Sequence, residues 1–106
     1  MLARSLSAEI STVAWSGKGI YYNYGVDRVE PLPTLYDRTI STDKSHLWNF
    51  SWQPEVVVIN LGTNDYSGSP KPTPTQFTTA YQTFLEHLRS KYANAFILCV
   101  SGPMLI

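Results

Sequence analysis

Gly17 in "WSGKG", Gly62, Asn64 and Asp65 in "GTND", and Gly102 in "SGP" are the residues of this 106-residue chain whose types and placement fit chemistry. Each group follows a run that reads as a strand, and in open α/β sheets ligands bind beyond the carboxyl ends of the strands. Gly17, Asn64 and Gly102 are thus expected to face one crevice. Gly17 and Gly62 let backbone approach a ligand closely, and Asn64 presents an amide N–H₂ donor. Donors that converge without a cation suit a developing oxyanion. The alternative is a plain turn whose Asn and Asp side chains hydrogen-bond their own backbone, and spacing alone leaves both readings open.

Other reactive residue types are less well placed. Asp65 and Asp37 read either as acids or bases or as carboxylates that brace a turn and a loop. His46 lies in an aperiodic segment and His87 at the edge of the polar face of a predicted helix, so neither has the setting of a general base. Ser16 precedes Gly17, but "VAWSGKG" does not satisfy the G-x-S-x-G elbow. The lone Cys99, in "AFILCV", reads as a small buried hydrophobe.

The elements that must position these residues follow from periodicity. Leu2 to Glu9 has helical spacing and reads as the tail of a helix. Ile10 to Trp15 alternates as a strand. Gly17 to Gln53 has no sustained period and far exceeds the usual connection length, with a short helix expected within Pro33 to Thr39. In its last part Trp48, Phe50 and Trp52 alternate, either as aromatic plugs on the core or as a carbohydrate-stacking platform. Val56 to Leu61 suits a parallel strand covered on both faces. Thr75 is placed to cap a helix from Gln76 to Tyr92, with Phe77, Tyr81, Phe84, Leu85, Leu88 and Tyr92 on one stripe. Ala95 to Val100 is a further strand. The order predicts an α/β domain with a parallel sheet.

Composition closes off several functions. Lys+Arg and Asp+Glu both number eight, for a formal net charge of zero, and the basic residues are scattered, which argues against nucleic acid. One cysteine permits no internal disulfide, and no Cys/His spacing resembles a zinc site. No metal or cofactor is expected. No run reaches the ~20 apolar residues of a membrane helix, nor do the first residues carry the apolar centre of a signal peptide. The compartment is left open.

At "AWSGKGIYYNYG", "LYDRT", "WNFSWQPEVVVINLGTND" and "SGPM" the chain resembles the SGNH (GDSL-like) hydrolase superfamily, and within it the carbohydrate esterase family 2 branch. The resemblance runs from the first predicted strand to the last. It implies a flavodoxin-like three-layer α/β/α fold with a parallel sheet, metal-free removal of acetyl groups from carbohydrate hydroxyls of the xylan type, and an acetylated carbohydrate or small ester as partner. Gly17 matches the family's oxyanion glycine and Asn64 its oxyanion asparagine, with Gly62 and Asp65 as expected substrate contacts. The family is often secreted.

Two signature positions have no match. The family's serine stands in a Gly-Asp-Ser-like turn upstream of the helix that ends near Glu9, and its histidine in a block beyond Ile106. Residues 1–106 therefore read as a partial SGNH domain, lacking the first strand and the C-terminal part, that contributes the oxyanion hole of a serine ester hydrolase. The alternative is a non-catalytic carbohydrate-binding or assembly module that keeps Tyr21, Tyr22, Tyr24, Trp48 and Trp52. Missing the first strand would leave sheet edges open, with self-association through them as the expected consequence.

Overall fold

Val56–Asn60 forms strand β1 and Phe96–Val100 strand β2, and they pair in parallel with Val56 opposite Phe96 and Asn60 opposite Val100. Parallel neighbours need a crossover, supplied by a helix in between. The computed structural model describes residues 7–40 and 42–101. In chain order their elements are α1 (Leu32–Leu35), β1, a 3₁₀ turn (Asn64–Tyr66), α2 (Pro74–Lys91) and β2. This is the parallel α/β arrangement the periodicity predicts.

Helix α2 starts earlier than its apolar stripe suggests. Thr73, not Thr75, is the cap: its hydroxyl accepts from the Gln76 N–H while the Gln76 side chain accepts from the Thr73 N–H. Such a capping box satisfies two otherwise orphaned donors, and Pro74 falls at the first helical position, where a missing N–H costs nothing. Arg89 closes the other end by donating to the carbonyls of Tyr92, Ala93 and Ala95. Between these caps α2 turns Phe84 and Leu88 onto the sheet, where they join Ile20, Ile59, Tyr92 and Ala95 in the core. Leu88 is wholly excluded from solvent, so truncating it to alanine would cost about 2–5 kcal/mol.

Three expectations fail here. Ile10–Trp15 is not a strand: it has no ladder partner among the described residues, and Ile10, Val13 and Trp15 stay exposed. A strand exists only through its neighbour, so alternation in the sequence was insufficient. Val56–Leu61 is not covered on both faces either. Val57 and Ile59 face α2, whereas Val56, Val58, Phe96 and Leu98 lie exposed on the opposite face. Cys99 is exposed, not buried, because β2 has no strand on its outer side among the described residues. The predicted helix of Leu2 to Glu9 lies mostly outside the described residues, with no regular helix at 7–9.

The long segment from Gly17 to Gln53 is held by aromatic packing. Trp48 and Phe50 lie with ring centroids 4.1 Å apart, both against Tyr36 and Tyr92. The Trp48 indole donates to the Tyr36 carbonyl, and the Tyr36 and Tyr92 hydroxyls share a hydrogen bond of 2.8 Å. His87 and Asp37 tie the same segment to α2 at 2.7 Å. Trp48 and Phe50 are therefore core plugs and not a platform, while Trp52 remains exposed. No helix among the described residues is long and apolar enough to cross a membrane.

Candidate oxyanion site at the strand end

Beyond β1 the chain turns at Gly62, whose φ of +122° is open to glycine and strained for other residues. The 3₁₀ turn that follows aims Asn64 and Asp65 into the 17–24 loop. Asn64 Nδ2 donates to the Lys18 carbonyl at 2.8 Å. A primary amide has two N–H groups. The Lys18 bond takes one and fixes the amide plane, leaving the second as a pre-oriented donor.

Gly17 lies next to that bond. The Lys18 N–H donates to the Trp15 carbonyl at 3.2 Å, closing a turn whose third residue is Gly17 with φ of +84°. A type II turn requires a positive φ at that position. The Gly17 carbonyl accepts from the Tyr24 N–H at 2.7 Å, whereas its own N–H finds no acceptor among the described residues. The site thus holds two N–H donors, one from Gly17 and one from Asn64, on adjoining turns.

Asp65 supports this loop. It is 1% exposed, and its carboxylate accepts from the N–H groups of Ile20, Tyr21 and Tyr22 at 2.9, 2.6 and 2.8 Å. A buried carboxylate is tolerated when its lone pairs are met in this way. Expected as a substrate contact, Asp65 is instead sealed from any substrate and braces the loop. Gly62 is likewise buried and shapes the turn. Gly19 sits against Asp65 so closely that a Cβ would meet the Tyr22 carbonyl at 2.1 Å and Asp65 Oδ2 at 2.6 Å.

Asn23 is a support that the sequence reading missed. Its Oδ1 accepts from the Gly19 N–H, and its Nδ2 donates to Asp27 Oδ2 and the Val29 carbonyl. Its only sequence signal is an Asn four residues before an Asp in an aperiodic stretch. Gly102 lies outside the described residues. His46 is exposed and bound to Asp43, and His87 is committed to Asp37. Among the described residues no cluster of His, Cys, Asp and Glu is arranged to hold a metal.

The family model described as GDSL-like Lipase/Acylhydrolase matches residues 1–106. The chain is 44% identical over 106 residues to "Cellulase/esterase CelE" of Acetivibrio thermocellus, covering 97% of this chain and 12% of that protein. It is 28% identical over 108 residues to an "Acetylxylan esterase / glucomannan deacetylase" of Cellvibrio japonicus, covering 99% of this chain and 30% of that one. Its fold superposes with a TM-score of 0.91 on a family two carbohydrate esterase from Clostridium thermocellum solved in complex with cellohexaose, at 41% identity, covering 98% of this chain and 32% of that one. The chain therefore spans no more than about a third of the length of these relatives.

Proposed function

Because the chain belongs to the GDSL-like lipase/acylhydrolase family and is similar throughout to family two carbohydrate esterases, we propose that it supplies the oxyanion hole of a serine esterase that removes acetyl groups from carbohydrate hydroxyls. The observation that carries this is the Asn64 amide. One of its N–H groups is tied to the carbonyl of Lys18, the residue that follows Gly17, and the other remains as a donor.

When a hydroxyl oxygen attacks the acetyl carbonyl carbon, its proton passes to the base and the carbonyl π electrons move onto oxygen. Gly17 N–H and the second Asn64 N–H donate to that oxygen. Both are fixed before the reaction, one by a turn and one by a hydrogen bond, so neither must reorganise as charge develops. Collapse of the intermediate restores the carbonyl and expels the sugar oxygen, which leaves with a proton from the base. The donors then release the neutral carbonyl oxygen of the acetyl ester now on the attacking hydroxyl, and water, giving its proton to the base, attacks that ester over the same donors to release acetate.

The attacking serine and the base are assigned to polypeptide other than these residues, since the sequence has no Gly-Asp-Ser-like turn and neither His46, held at Asp43, nor His87, held at Asp37 beside Phe50, makes a hydrogen bond to the 17–24 loop or the Asn64 turn among the described residues. The acetylated-carbohydrate substrate is supported by the esterase and deacetylase descriptions of the relatives. The experiment is a hybrid in which this chain replaces the matching segment of the Clostridium thermocellum esterase. Hydrolysis of 4-nitrophenyl acetate that collapses on Asn64→Ala supports the proposal; hydrolysis indifferent to it overturns it.

A further inference from the structure

The two donor residues are joined a second time, through their own carbonyls. The Gly17 carbonyl accepts from the Tyr24 N–H at 2.7 Å, and the next N–H along the chain, that of Gly25, donates to Ser67 Oγ at 3.1 Å. Ser67 Oγ in turn donates to the Asn64 carbonyl at 2.7 Å. A hydroxyl has one O–H donor and two acceptor lone pairs. Ser67 donates to the Asn64 turn and accepts from the other loop, so three hydrogen bonds run in series from the Gly17 carbonyl to the Asn64 carbonyl.

The far arm of that loop is a tight hairpin, with Asn23 and Asp27 bridged across its base. Asn64 and Asp65 bind the loop only at Lys18 and at Ile20, Tyr21 and Tyr22. Among the described residues, Ser67 is the one side chain of the 63–68 turn that hydrogen-bonds the hairpin. Gly68 lies beside it, and a Cβ there would fall 2.5 Å from Val26 Cγ2 and 3.6 Å from the Gly25 carbonyl carbon. Val26, a β-branched residue, is held at φ of +65°, which is costly for its type. Such a conformation persists only where its surroundings impose it. Here the Val26 N–H bonds the Asn23 carbonyl at 3.1 Å while Ser67 and Gly68 meet the tip from the other side.

We infer that Ser67 is a positioning residue for the oxyanion pair, its hydroxyl fixing the spacing between the Gly17 and Asn64 turns and so the point at which their N–H groups converge. This rests on the oxyanion reading above. With its proton on the Asn64 carbonyl and a lone pair on the Gly25 N–H, the hydroxyl acts through backbone and takes no part in bond-making. A misaligned donor pair is felt where charge develops on the carbonyl oxygen, hence in kcat and hardly in KM.

The test uses the hybrid with the Clostridium thermocellum esterase, assayed on 4-nitrophenyl acetate below its melting transition with circular dichroism as the check on folding. Ser67→Ala should lower kcat about tenfold at unchanged KM, and Ser67→Thr, which keeps the hydroxyl, should restore most of it. In an Asn64→Ala background the same Ser67→Ala change should cost no more than about twofold, because the donor it aligns is gone. If Ser67→Ala melts below the assay temperature, Ser67→Cys, similar in shape with a weak donor, reads the same loss. A kcat within about twofold of the parent hybrid, or an equal loss in both backgrounds, overturns the inference. Hydrolysis that collapses on Asn64→Ala and ignores Ser67→Ala overturns it alone and leaves the oxyanion reading standing; hydrolysis indifferent to Asn64→Ala overturns both.

Discussion

Asn64 and Lys18, 46 positions apart in sequence, are joined by one hydrogen bond of 2.8 Å from the Asn64 amide to the Lys18 carbonyl. That bond makes the asparagine side chain a fixed donor. It also sets what can replace it. In Asn64→Asp a carboxylate oxygen would face the Lys18 carbonyl and the developing oxyanion, two acceptors it can only repel. Asn64→Asp should therefore lower both the melting temperature and kcat of the hybrid below those of Asn64→Ala, as thermal unfolding and initial rates will register.

The isolated chain should not turn over 4-nitrophenyl acetate faster than its Asn64→Ala variant. It holds donors without the serine and base assigned elsewhere. Turnover abolished by that substitution would point to a nucleophile within these residues, with the exposed Ser16 as the first suspect.

Loss of the Asp65 carboxylate orphans three loop N–H groups at once. Hydrogen bonds to charged groups are worth roughly 1.5–3 kcal/mol each and are not additive, so Asp65→Ala should cost about 3 kcal/mol or more. Urea unfolding measures this. Asp65→Asn must turn an N–H₂ toward at least one N–H donor, and it should recover only part of the loss.

Gly19→Ala should be more damaging than Gly25→Ala. The first pushes a methyl to 2.1 Å from the Tyr22 carbonyl and 2.6 Å from Asp65 Oδ2, while the second, at φ of +76°, meets nothing within 4 Å. Gly25→Ala should cost about 1–2 kcal/mol from its left-handed backbone alone, and Gly19→Ala should unfold the loop. Comparing denaturation midpoints separates the two.

Alkaline pH should weaken the fold through the Tyr36 and Tyr92 pair. Burial is the leading cause that raises both hydroxyls above the ordinary tyrosine value of 10.0, and Tyr36 raises Tyr92 further through their shared hydrogen bond. A raised folded-state value means that the stabilisation is fully present below pH 10 and declines as pH climbs toward the folded-state values. Stability measured from pH 8 to 11.5 should fall in the wild-type chain and fall less in Tyr36→Phe/Tyr92→Phe.

Much of the frame was legible because its signals are local. The apolar run at Val56 and the 3.6-residue stripe from Phe77 to Leu88 announced β1 and α2, and "GTND" announced a polar turn at the strand end. What escaped depends on partners distant in sequence. Alternation at Ile10–Trp15 carried no information on whether a neighbouring strand stands beside it. Thr73 and Thr75 are equally good cap types, and only the reciprocal bond with Gln76 distinguishes them. That Asp65 braces a loop was one of its two readings, but which loop was hidden because its three N–H partners lie more than 40 residues away. The alternating exposure of β1 was hidden by four consecutive apolar residues that suit either face.

The measurement that tests the central claim most directly is the kcat and KM of the hybrid for 4-nitrophenyl acetate, with and without Asn64→Ala. Removing one oxyanion donor typically costs ~3 kcal/mol of barrier, so kcat should fall about a hundredfold or more while KM changes little. A kcat within a few fold of the unsubstituted hybrid would contradict the assignment of Asn64 as an oxyanion donor.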